Sequence, residues 1–345
     1  MDCTTDAGAP LVVSRYNDAA AVLSAAQDFF AEDELLTSLP YGILRRLSRT
    51  PDLYGAEHYF LSITTPDPAR AGSLEEPMSA KSRVVLLAMQ TGRWPLAFFV
   101  SPRSPEKEVR EAVVRLLRHL NESGQAKAVG KVEGQSHHAA VLAALWNATA
   151  ADACLPPLRV RQHDRFHMCE RVVDPSFVIA DDDPTLRIKK ATEADVELLA
   201  AWYQSFRERL HDPTDLDGAR RMARSWLDGE EGCAAYLLLR RAEHKGEPET
   251  PVSLCLTNRE TPHTRTISMV YTPAEHGCKG YATRLVASVT QIALAVKRYC
   301  CLFTDLANPH RHLLPPPFNY IYYKVGYRTH SEWDTYETGT DAAPS

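Results

Sequence analysis

The segment 266–283 reads TISMVYTPAEHGCKGYAT and decides the fold of the C-terminal half of the chain. Its first six residues predict a β-strand, and Gly277 and Gly280 then predict a tight turn before a helix. Glycines allow a backbone to approach a ligand closely, and the free N–H groups at a helix start attract an anion. No acidic residue lies between Gly277 and Asp305. The segment therefore predicts an anion site, and a pyrophosphate is its natural ligand.

The sequence around this segment predicts an α+β domain with a mixed, mostly antiparallel sheet flanked by helices. Thr192 and Asp195 have the spacing of a helix capping box. Before the segment, the patterns predict a strand at 186–190, helices at 196–210 and 217–226, and strands at 234–240 and 252–257. After it come a helix at 281–296, a strand at 299–306, and a final helix and strand. One parallel strand pair is expected where the helix at 281–296 crosses over.

Four stretches of this half together resemble the GNAT N-acetyltransferase family. They are VYTP at 270–273, GCKGYA at 277–282, LFTDLANP at 302–309 and NYIYYKVGY at 319–327. The likeness is close over 252–333 and looser from 186 onward. A bare G-x-x-G-x-A match is weak, but here a strand precedes it and an amphipathic helix follows. The resemblance implies a GNAT fold, acetyl-coenzyme A as the co-substrate, and no metal.

The resemblance also implies roles for individual residues. The glycine turn would hold the coenzyme A pyrophosphate, the preceding strand would lie along the pantetheine, and Tyr322 would protonate the departing thiolate. We expect N–H groups near Val270 and Tyr271 to polarise the acetyl carbonyl, and Asp305 to lie near the cofactor strand. The residues expected to bind the cofactor are Met269, Val270, Tyr271, Gly277, Cys278, Lys279, Gly280, Tyr281, Ala282, Thr283, Asn308 and Asn319.

Two departures from the family pattern concern this site. The family begins the glycine turn with Arg or Gln, so Gly277 removes one side-chain contact to the ligand. Residues 310–318, HRHLLPPPF, look inserted beside the expected active site. There they would shape the acceptor pocket or displace the helix of Tyr322.

The sequence does not determine the identity of the general base. The candidates by position are Asp305, Glu260, His263, Glu275 and a water relay.

The N-terminal half is predicted to be a second domain. The stretch VDPSFVIADDDPT at 173–185 has the acids and prolines of an inter-domain linker. Residues 1–172 carry helices, a small antiparallel sheet and GKVEG at 130–134 before a helix, an order that resembles a degenerate GNAT-like half. We therefore predict two tandem GNAT-like domains, 1–172 and 186–345. The first lacks a convincing pyrophosphate turn, so we expect it not to bind coenzyme A and to help wall the acceptor site. Residues 66–81 predict a mobile surface loop.

Composition and charge exclude several other classes of protein. The chain has 44% hydrophobic and 24% charged residues and a net charge of −5, which argues against a nucleic-acid or anionic membrane partner. No apolar run approaches the roughly 20 residues of a membrane span, and no secretory signal begins the sequence. We expect a cytoplasmic or nuclear protein.

His163, His167 and Cys169 suggest a metal site, but they lie in a predicted strand without zinc spacing, so we expect no metal.

Two functions remain open on the sequence alone. The first is an N-acyltransferase that moves an acetyl group from coenzyme A to an amine by direct attack, the amine belonging to a small molecule or a peptide. The second is a non-catalytic acyl-CoA-binding or regulatory protein that keeps the fold. The acceptor and the oligomeric state are not determined by the sequence.

Overall fold

The computed structural model describes residues 11–53, 55, 57–66, 82–92, 94–210, 212–229, 232–242, 244, 247–306 and 320–339. They pack as two compact units, of which the second spans Arg165–His330 and the first comprises the chain up to Asp164 and again from Ser331. The domain boundaries read from the sequence, with a linker at 173–185, stay a prediction. The loop predicted at 66–81 falls almost entirely outside the described residues.

In the part of the chain that the structure describes, the first unit contains five helices, five complete strands, and parts of two more strands, the second of which enters from the C-terminal end of the chain. Its strands are β1 (Val12–Tyr16), β2 (His58–Pro66), β3 (Ser82–Thr91), β4 (Leu96–Val100), β5 (Lys131–Gln135) and the start of β6 (Leu158–Cys169). Its helices are α1 (Ala19–Ala25), α2 (Gln27–Glu32), α3 (Glu34–Arg49), α4 (Glu106–Glu122) and α5 (Ser136–Ala150). Strands β1 to β4 are antiparallel neighbours, and β5 lies parallel to β4. The apolar faces of α4 and α5 pack on this sheet, since side chains three and four residues apart share one side of a helix.

The second unit repeats the same strand pattern. Its strands are β7 (Leu186–Lys190), β8 (Ala234–Arg240), β9 (Thr250–Asn258), β10 (Thr264–Tyr271), β11 (Tyr299–Asp305) and the start of β12 (Arg328–Thr338). Its helices are α6 (Val196–Arg209), α7 (Leu216–Ser225), α8 (Tyr281–Leu294) and α9 (Tyr320–Val325). Strands β7 to β10 are antiparallel neighbours and β11 lies parallel to β10. The predicted α+β class and the single parallel pair around α8 are confirmed.

Helices cover both faces of the second sheet. Helices α6 and α7 pack on one face through Leu199, Ala219 and Ala223, and α8 packs on the other through Leu285 and Val289. The predicted capping box starts the turn before α6: the Thr192 N–H donates to Asp195 Oδ2 at 2.8 Å. None of the described helices combines the length and apolar character that a membrane crossing requires.

Strand β12 contributes to the first unit from Ser331 onward. There it pairs antiparallel with β5, with Trp333 opposite Gln135. The Trp333 ring is 1% exposed and its centroid lies 5.5 Å from that of Phe99. Residues 331–338, read from the sequence as part of the C-terminal domain, therefore supply a strand and a core side chain to the first unit.

We expect Trp333→Ala to destabilise the first unit, because it empties a fully buried site. Truncating a buried tryptophan typically costs about 3–5 kcal/mol of unfolding free energy. The matched control is Trp94→Ala, since Trp94 is 45% exposed and its loss should change stability by less than about 0.5 kcal/mol. Urea unfolding followed by circular dichroism measures both variants. Equal unfolding midpoints would contradict the placement of Trp333 in a core.

Candidate active site

Strands β10 and β11 separate at their carboxyl ends. They pair in register from Thr264 with Tyr299 to Ile267 with Leu302. Beyond these residues β10 remains paired with β9 through Tyr271, but no pair joins it to β11 in the described part of the chain. The backbone groups of β10 that face β11 in this stretch therefore lack ladder partners. We call this region, between 268–271 of β10 and 303–305 of β11, the V-shaped opening.

A β-bulge in β10 accounts for the separation. Against β9, Ile267 pairs with Thr257 and Met269 pairs with Leu256, so Ser268 is an extra residue in the ladder. A bulge bends its strand and increases the local twist, which turns β10 away from β11. No separate sequence feature predicts the bulge, because an extra strand residue differs little from an ordinary one in composition.

The chain after β10 leads from the V-shaped opening to the N-terminus of α8. A single 3-10 turn over Ala274–His276 precedes the glycine turn, and α8 begins at Tyr281 without a side-chain cap and without an acid in its first turn. Among the residues that the structure describes, no acceptor is recorded for the N–H groups of Cys278, Lys279 or Gly280. The first N–H groups of the helix also lack partners inside it. Together with the helix dipole, these groups suit an anion.

The two glycines of the turn differ in what the backbone requires. Gly280 has φ +78°, in the left-handed region, and an added Cβ would meet no atom within 4 Å. Cys278 also has a positive φ of 59°, which costs a non-glycine residue some strain. Gly277 has φ −63° and ψ 161°, a conformation open to any residue. The backbone angles of Gly277 thus do not require glycine, although an added Cβ would lie 3.1 Å from the Ala274 carbonyl oxygen, whereas the φ of Gly280 favours glycine.

The other cofactor candidates present mainly backbone at the opening. The side chains of Met269 and Tyr271 are buried on the α6–α7 face, where the Arg209 guanidinium lies 4.7 Å from the Tyr271 ring centroid. Val270 is half-buried on the opposite face. The half-buried residues Tyr281, Ala282 and Thr283 form the first turn of α8. Asn308, Asn319 and the stretch 310–318 lie outside the described residues.

Tyr322 lies on α9 and packs into the apolar cluster on the α8 face, which also contains Val270 and Cys255. Its half-buried ring meets Tyr327 edge to face, with centroids 6.0 Å apart. Burial, with a smaller contribution from the nearby Cys255 thiol, raises the pKa of Tyr322 well above its ordinary value of 10.0. Tyr322 is therefore a neutral phenol throughout the physiological pH range.

Sequence analysis missed a buried pair beside Tyr322. His167 of β6 is fully buried, and its Nε2 lies 2.9 Å from Oγ1 of Thr304 on β11. Burial first, and then the charge of Arg165, lowers the pKa of His167 to about 4. The described residues contain no group of three His, Cys, Asp or Glu that could hold a metal ion. The pair joins residues 137 positions apart, so only the pairing of β6 with β11 brings them together.

The acid and histidine candidates for the general base occupy different regions. Glu260 and His263 precede β10, at the end of the strand away from the V-shaped opening. Burial of Glu260 would raise its pKa, but hydrogen bonds from Lys297 and Arg265 outweigh this and lower it. These ion-pair contacts explain why Glu260 has a structural role. Asp305, half-buried, is the last residue of β11 and borders the opening, and Glu275 lies in the turn before α8.

In the first unit, a side chain occupies the corresponding position between the parallel strands β4 and β5. Their recorded pairs are Leu96 with Val132 and Ala97 with Glu133. An added Cβ on Gly134 of β5 would lie 2.6 Å from the Phe98 ring of β4, and this ring is 1% exposed. The ring therefore fills the space beside Gly134 and leaves none for a ligand there.

The helix that follows β4 also disfavours an anion. Helix α4 starts after Pro105, and Glu106 and Glu108 lie in its first turn. Glu108 forms a bidentate pair with Arg83, with oxygen–nitrogen distances of 2.7 and 2.9 Å. Carboxylates at a helix N-terminus already interact with the positive end of the helix dipole, and they repel a phosphate. The first unit thus has the strand order of the second without the acid-free helix start of α8.

Three solved structures are similar in fold to nearly the whole chain. A tandem GNAT protein from the clavulanic acid biosynthesis pathway matches with a TM-score of 0.53 and 11% identity, over 96% of this chain and 100% of the other. A Drosophila protein matches with a TM-score of 0.55 and 10% identity, over 95% and 99%. A GNAT-family acetyltransferase from Colwellia psychrerythraea matches with a TM-score of 0.52 and 7% identity, over 95% and 100%.

Identities this low establish similarity of fold alone. No protein-family model matches the sequence, and no curated protein matches it either. The coverage nevertheless extends across both units of this chain and nearly the full length of each of the three structures. The resemblance noted in the C-terminal motifs is therefore confirmed as a fold shared by the entire chain.

We expect His167 to make the second unit lose stability as the pH falls. Its pKa in the folded protein is about 4, against 6.5 for an ordinary histidine, so the unfolded chain binds the proton more tightly. The effect of His167 on the free energy of unfolding is small above pH 6.5. It becomes destabilising as the pH falls from there towards 4. Linkage gives about 2 kcal/mol lost between pH 7 and pH 5.

Urea unfolding of the unchanged protein and of His167→Gln at both pH values measures this contribution. The glutamine variant cannot take up the proton, so it should lose about 2 kcal/mol less than the unchanged protein over the same interval. Identical losses in the two proteins would show that His167 is not held neutral by burial.

Proposed function

We propose that this chain, which has a two-domain GNAT fold, transfers an acetyl group from acetyl-coenzyme A to an amine by direct attack. The observation that carries the proposal is the V-shaped opening of β10 continuing into an uncapped, acid-free N-terminus of α8. A strand edge with free backbone groups suits the amides of an extended pantetheine chain, and the helix start suits a diphosphate. Coenzyme A joins these two groups in one molecule.

In the proposed complex the ligand contacts mainly backbone. The N–H groups of residues 278–283 surround the pyrophosphate, and those backbone groups of residues 269–271 that face β11 bind the pantetheine. Lys279, whose ammonium group donates to the Glu275 carbonyl at 2.9 Å, adds positive charge at the turn. Asn308 and Asn319 are retained as cofactor contacts on the family resemblance.

We infer that the first unit binds no coenzyme A, because Phe98 fills the space beside Gly134 and carboxylates lie in the first turn of α4.

The transfer step then needs few protein groups. The lone pair of a neutral amine attacks the thioester carbonyl carbon, and N–H groups near Val270 and Tyr271 stabilise the oxyanion. The C–S bond breaks, the sulfur takes the Tyr322 proton, and the amine nitrogen loses a proton to a base. Asp305, at the end of β11, is the side chain proposed for that base, directly or through water. Solvent returns a proton to Tyr322.

The raised pKa of Tyr322 is compatible with this role. A phenol with a pKa well above 10 is fully protonated before the reaction, so the acid is always loaded. The same apolar surroundings disfavour a bare thiolate and raise its proton affinity as the C–S bond breaks. The pKa of the Tyr322 phenol and the pKa of the thiol are thus both raised. The free-energy cost of the proton transfer therefore stays moderate.

A second candidate function is a protein that binds acyl-CoA without turnover. The observation that favours it is Gly277, whose φ and ψ do not require glycine and where the side chain usual in the family is missing. Release of free thiol in the presence of an amine library separates the two functions, because only transfer makes thiol release depend on the amine. The acceptor proposed for the enzyme is an amine on a small molecule or a peptide.

We expect Gly280→Asp to weaken acetyl-CoA binding far more than Gly280→Asn. Asn and Asp have similar size and both tolerate a left-handed backbone, and the space around an added Cβ is open. Only the aspartate places a negative charge beside the diphosphate. A like charge at about 4 Å with an effective dielectric near 20 predicts at least a tenfold larger dissociation constant for the Asp variant.

Isothermal titration calorimetry with acetyl-CoA measures both variants and the unchanged protein. One coenzyme A per chain is expected, since only the second unit offers the site. Equal affinities of the Asn and Asp variants would place the phosphates elsewhere. Failure of the unchanged protein to bind would remove both candidate functions.

We expect Tyr322→Phe to lower kcat by about 10²–10⁴-fold, the usual contribution of a general acid, with little change in acetyl-CoA affinity. The matched control is Tyr323→Phe on the same helix, since Tyr323 is 40% exposed and its hydroxyl lies 3.1 Å from Thr329 Oγ1. This control should keep the unchanged rate. Thiol release with an accepted amine measures kcat, and undiminished turnover of Tyr322→Phe would exclude Tyr322 as the acid.

A further inference from the structure

His167 and Thr304 form a buried hydrogen bond at the V-shaped opening that the proposed mechanism does not use. Thr304 lies two residues beyond Leu302, the last β11 residue paired with β10, and its side chain is on the same face of the strand. Thr304 is 8% exposed and His167 is fully buried. The bond therefore sits at one wall of the opening, shielded from bulk water.

The proton of this histidine is best placed on Nε2. His167 Nδ1 is buried and has no hydrogen-bond partner among the residues that the structure describes. A ring N–H on Nδ1 would be fixed in place without an acceptor, whereas a hydroxyl hydrogen can rotate towards the opening, so the neutral ring keeps Nδ1 unprotonated. Nε2–H then donates to Thr304 Oγ1 at 2.9 Å. The low pKa of His167 agrees with a permanently neutral ring.

This assignment leaves the Thr304 hydroxyl hydrogen available. Oγ1 accepts from His167, and the structure records no acceptor for the Thr304 O–H among the residues it describes. A buried donor without an acceptor destabilises the folded protein. An acceptor supplied by a ligand in the opening would remove that destabilisation. The chemistry required of such a ligand is a carbonyl oxygen, as in an amide or a thioester.

The imidazole ring also contacts the helix of the proposed acid. His167 lies roughly parallel to Tyr322, with centroids 6.5 Å apart and a 30° angle between the planes. It meets Tyr323 edge to face at 5.5 Å. One buried side chain thus touches both β11, through Thr304, and α9, through two aromatic rings.

We propose that Thr304 is a ligand-binding residue that donates its hydroxyl hydrogen to a carbonyl of the acyl-pantetheine chain, and that His167 is a positioning residue that orients Thr304 and supports Tyr322. The inference rests on the proposed function, because it needs a thioester in the V-shaped opening. In this arrangement the Thr304 hydroxyl contributes to the affinity for acetyl-CoA. The His167 ring holds the proposed acid, Tyr322, in position.

Two pairs of variants separate these roles. Thr304→Val removes the hydroxyl at nearly constant shape, and Thr304→Ser keeps it. His167→Phe keeps a ring beside Tyr322 but removes the Nε2 donor, whereas His167→Gln keeps a donor near Nε2 and removes the ring. Affinity for acetyl-CoA by calorimetry and kcat by thiol release are measured for each, with thermal unfolding as the control for folding.

The expected result is a split between affinity and rate. Thr304→Val and His167→Phe should each weaken acetyl-CoA binding about five- to tenfold, the effect of one neutral hydrogen bond. The double variant should bind no more weakly than the weaker single one, because both changes remove the same donor. Thr304→Ser should retain affinity, and His167→Gln should retain affinity while lowering kcat.

Three outcomes would overturn the inference. Unchanged affinity of a folded Thr304→Val protein would show that the hydroxyl does not contact the ligand. Additive losses in the double variant would show that His167 does not act through Thr304. Undiminished kcat in His167→Gln would remove its support of Tyr322. In each case binding and turnover by the unchanged protein would leave the proposed function standing, whereas their absence would remove that function and this inference together.

Discussion

The candidate site depends on a break in the backbone hydrogen bonding between the parallel strands β10 and β11. A β-sheet is stable because each strand satisfies the backbone groups of the next, and β10 gives up that partner after Ile267. The bulge at Ser268 sets where this happens, while β9 keeps β10 in place on its other side. The result is a rigid edge inside a sheet, facing an opening and ending at a helix N-terminus. The proposed ligand contacts, the proposed oxyanion stabilisation and the position of Thr304 all follow from that geometry.

The same strand order serves two purposes in this chain. In the first unit the space beside Gly134 is occupied by the Phe98 ring, and Glu106 and Glu108 begin α4, so the arrangement contributes to a core. In the second unit the glycine turn and the absence of acids leave the corresponding helix start available. A few side chains at equivalent positions separate a packed core from the proposed binding site, because the backbone pattern tolerates both.

Local signals in the sequence predicted much of this structure. The glycine turn, the capping box of Thr192 and Asp195, and the crossover around α8 each depend on residues close together in the chain. Interactions between distant residues were not accessible in this way: the hydrogen bond of His167 with Thr304 and the burial of Trp333 both depend on which strands become neighbours. The histidines of β6 were considered as metal ligands and set aside for want of zinc spacing, and nothing near them in the chain indicated a threonine partner.

The placement of β12 has a consequence for how the chain is made. Ser136, at the end of β5, donates a 2.8 Å hydrogen bond to Asp334, and these residues are 198 positions apart. At a synthesis rate of about 5–20 residues per second, β5 would leave the ribosome roughly 10–40 s before its partner strand exists. An exposed strand edge invites pairing with other chains during that interval, which makes the nascent protein a natural client for chaperones. The unit translated first is thus the one that must be completed last.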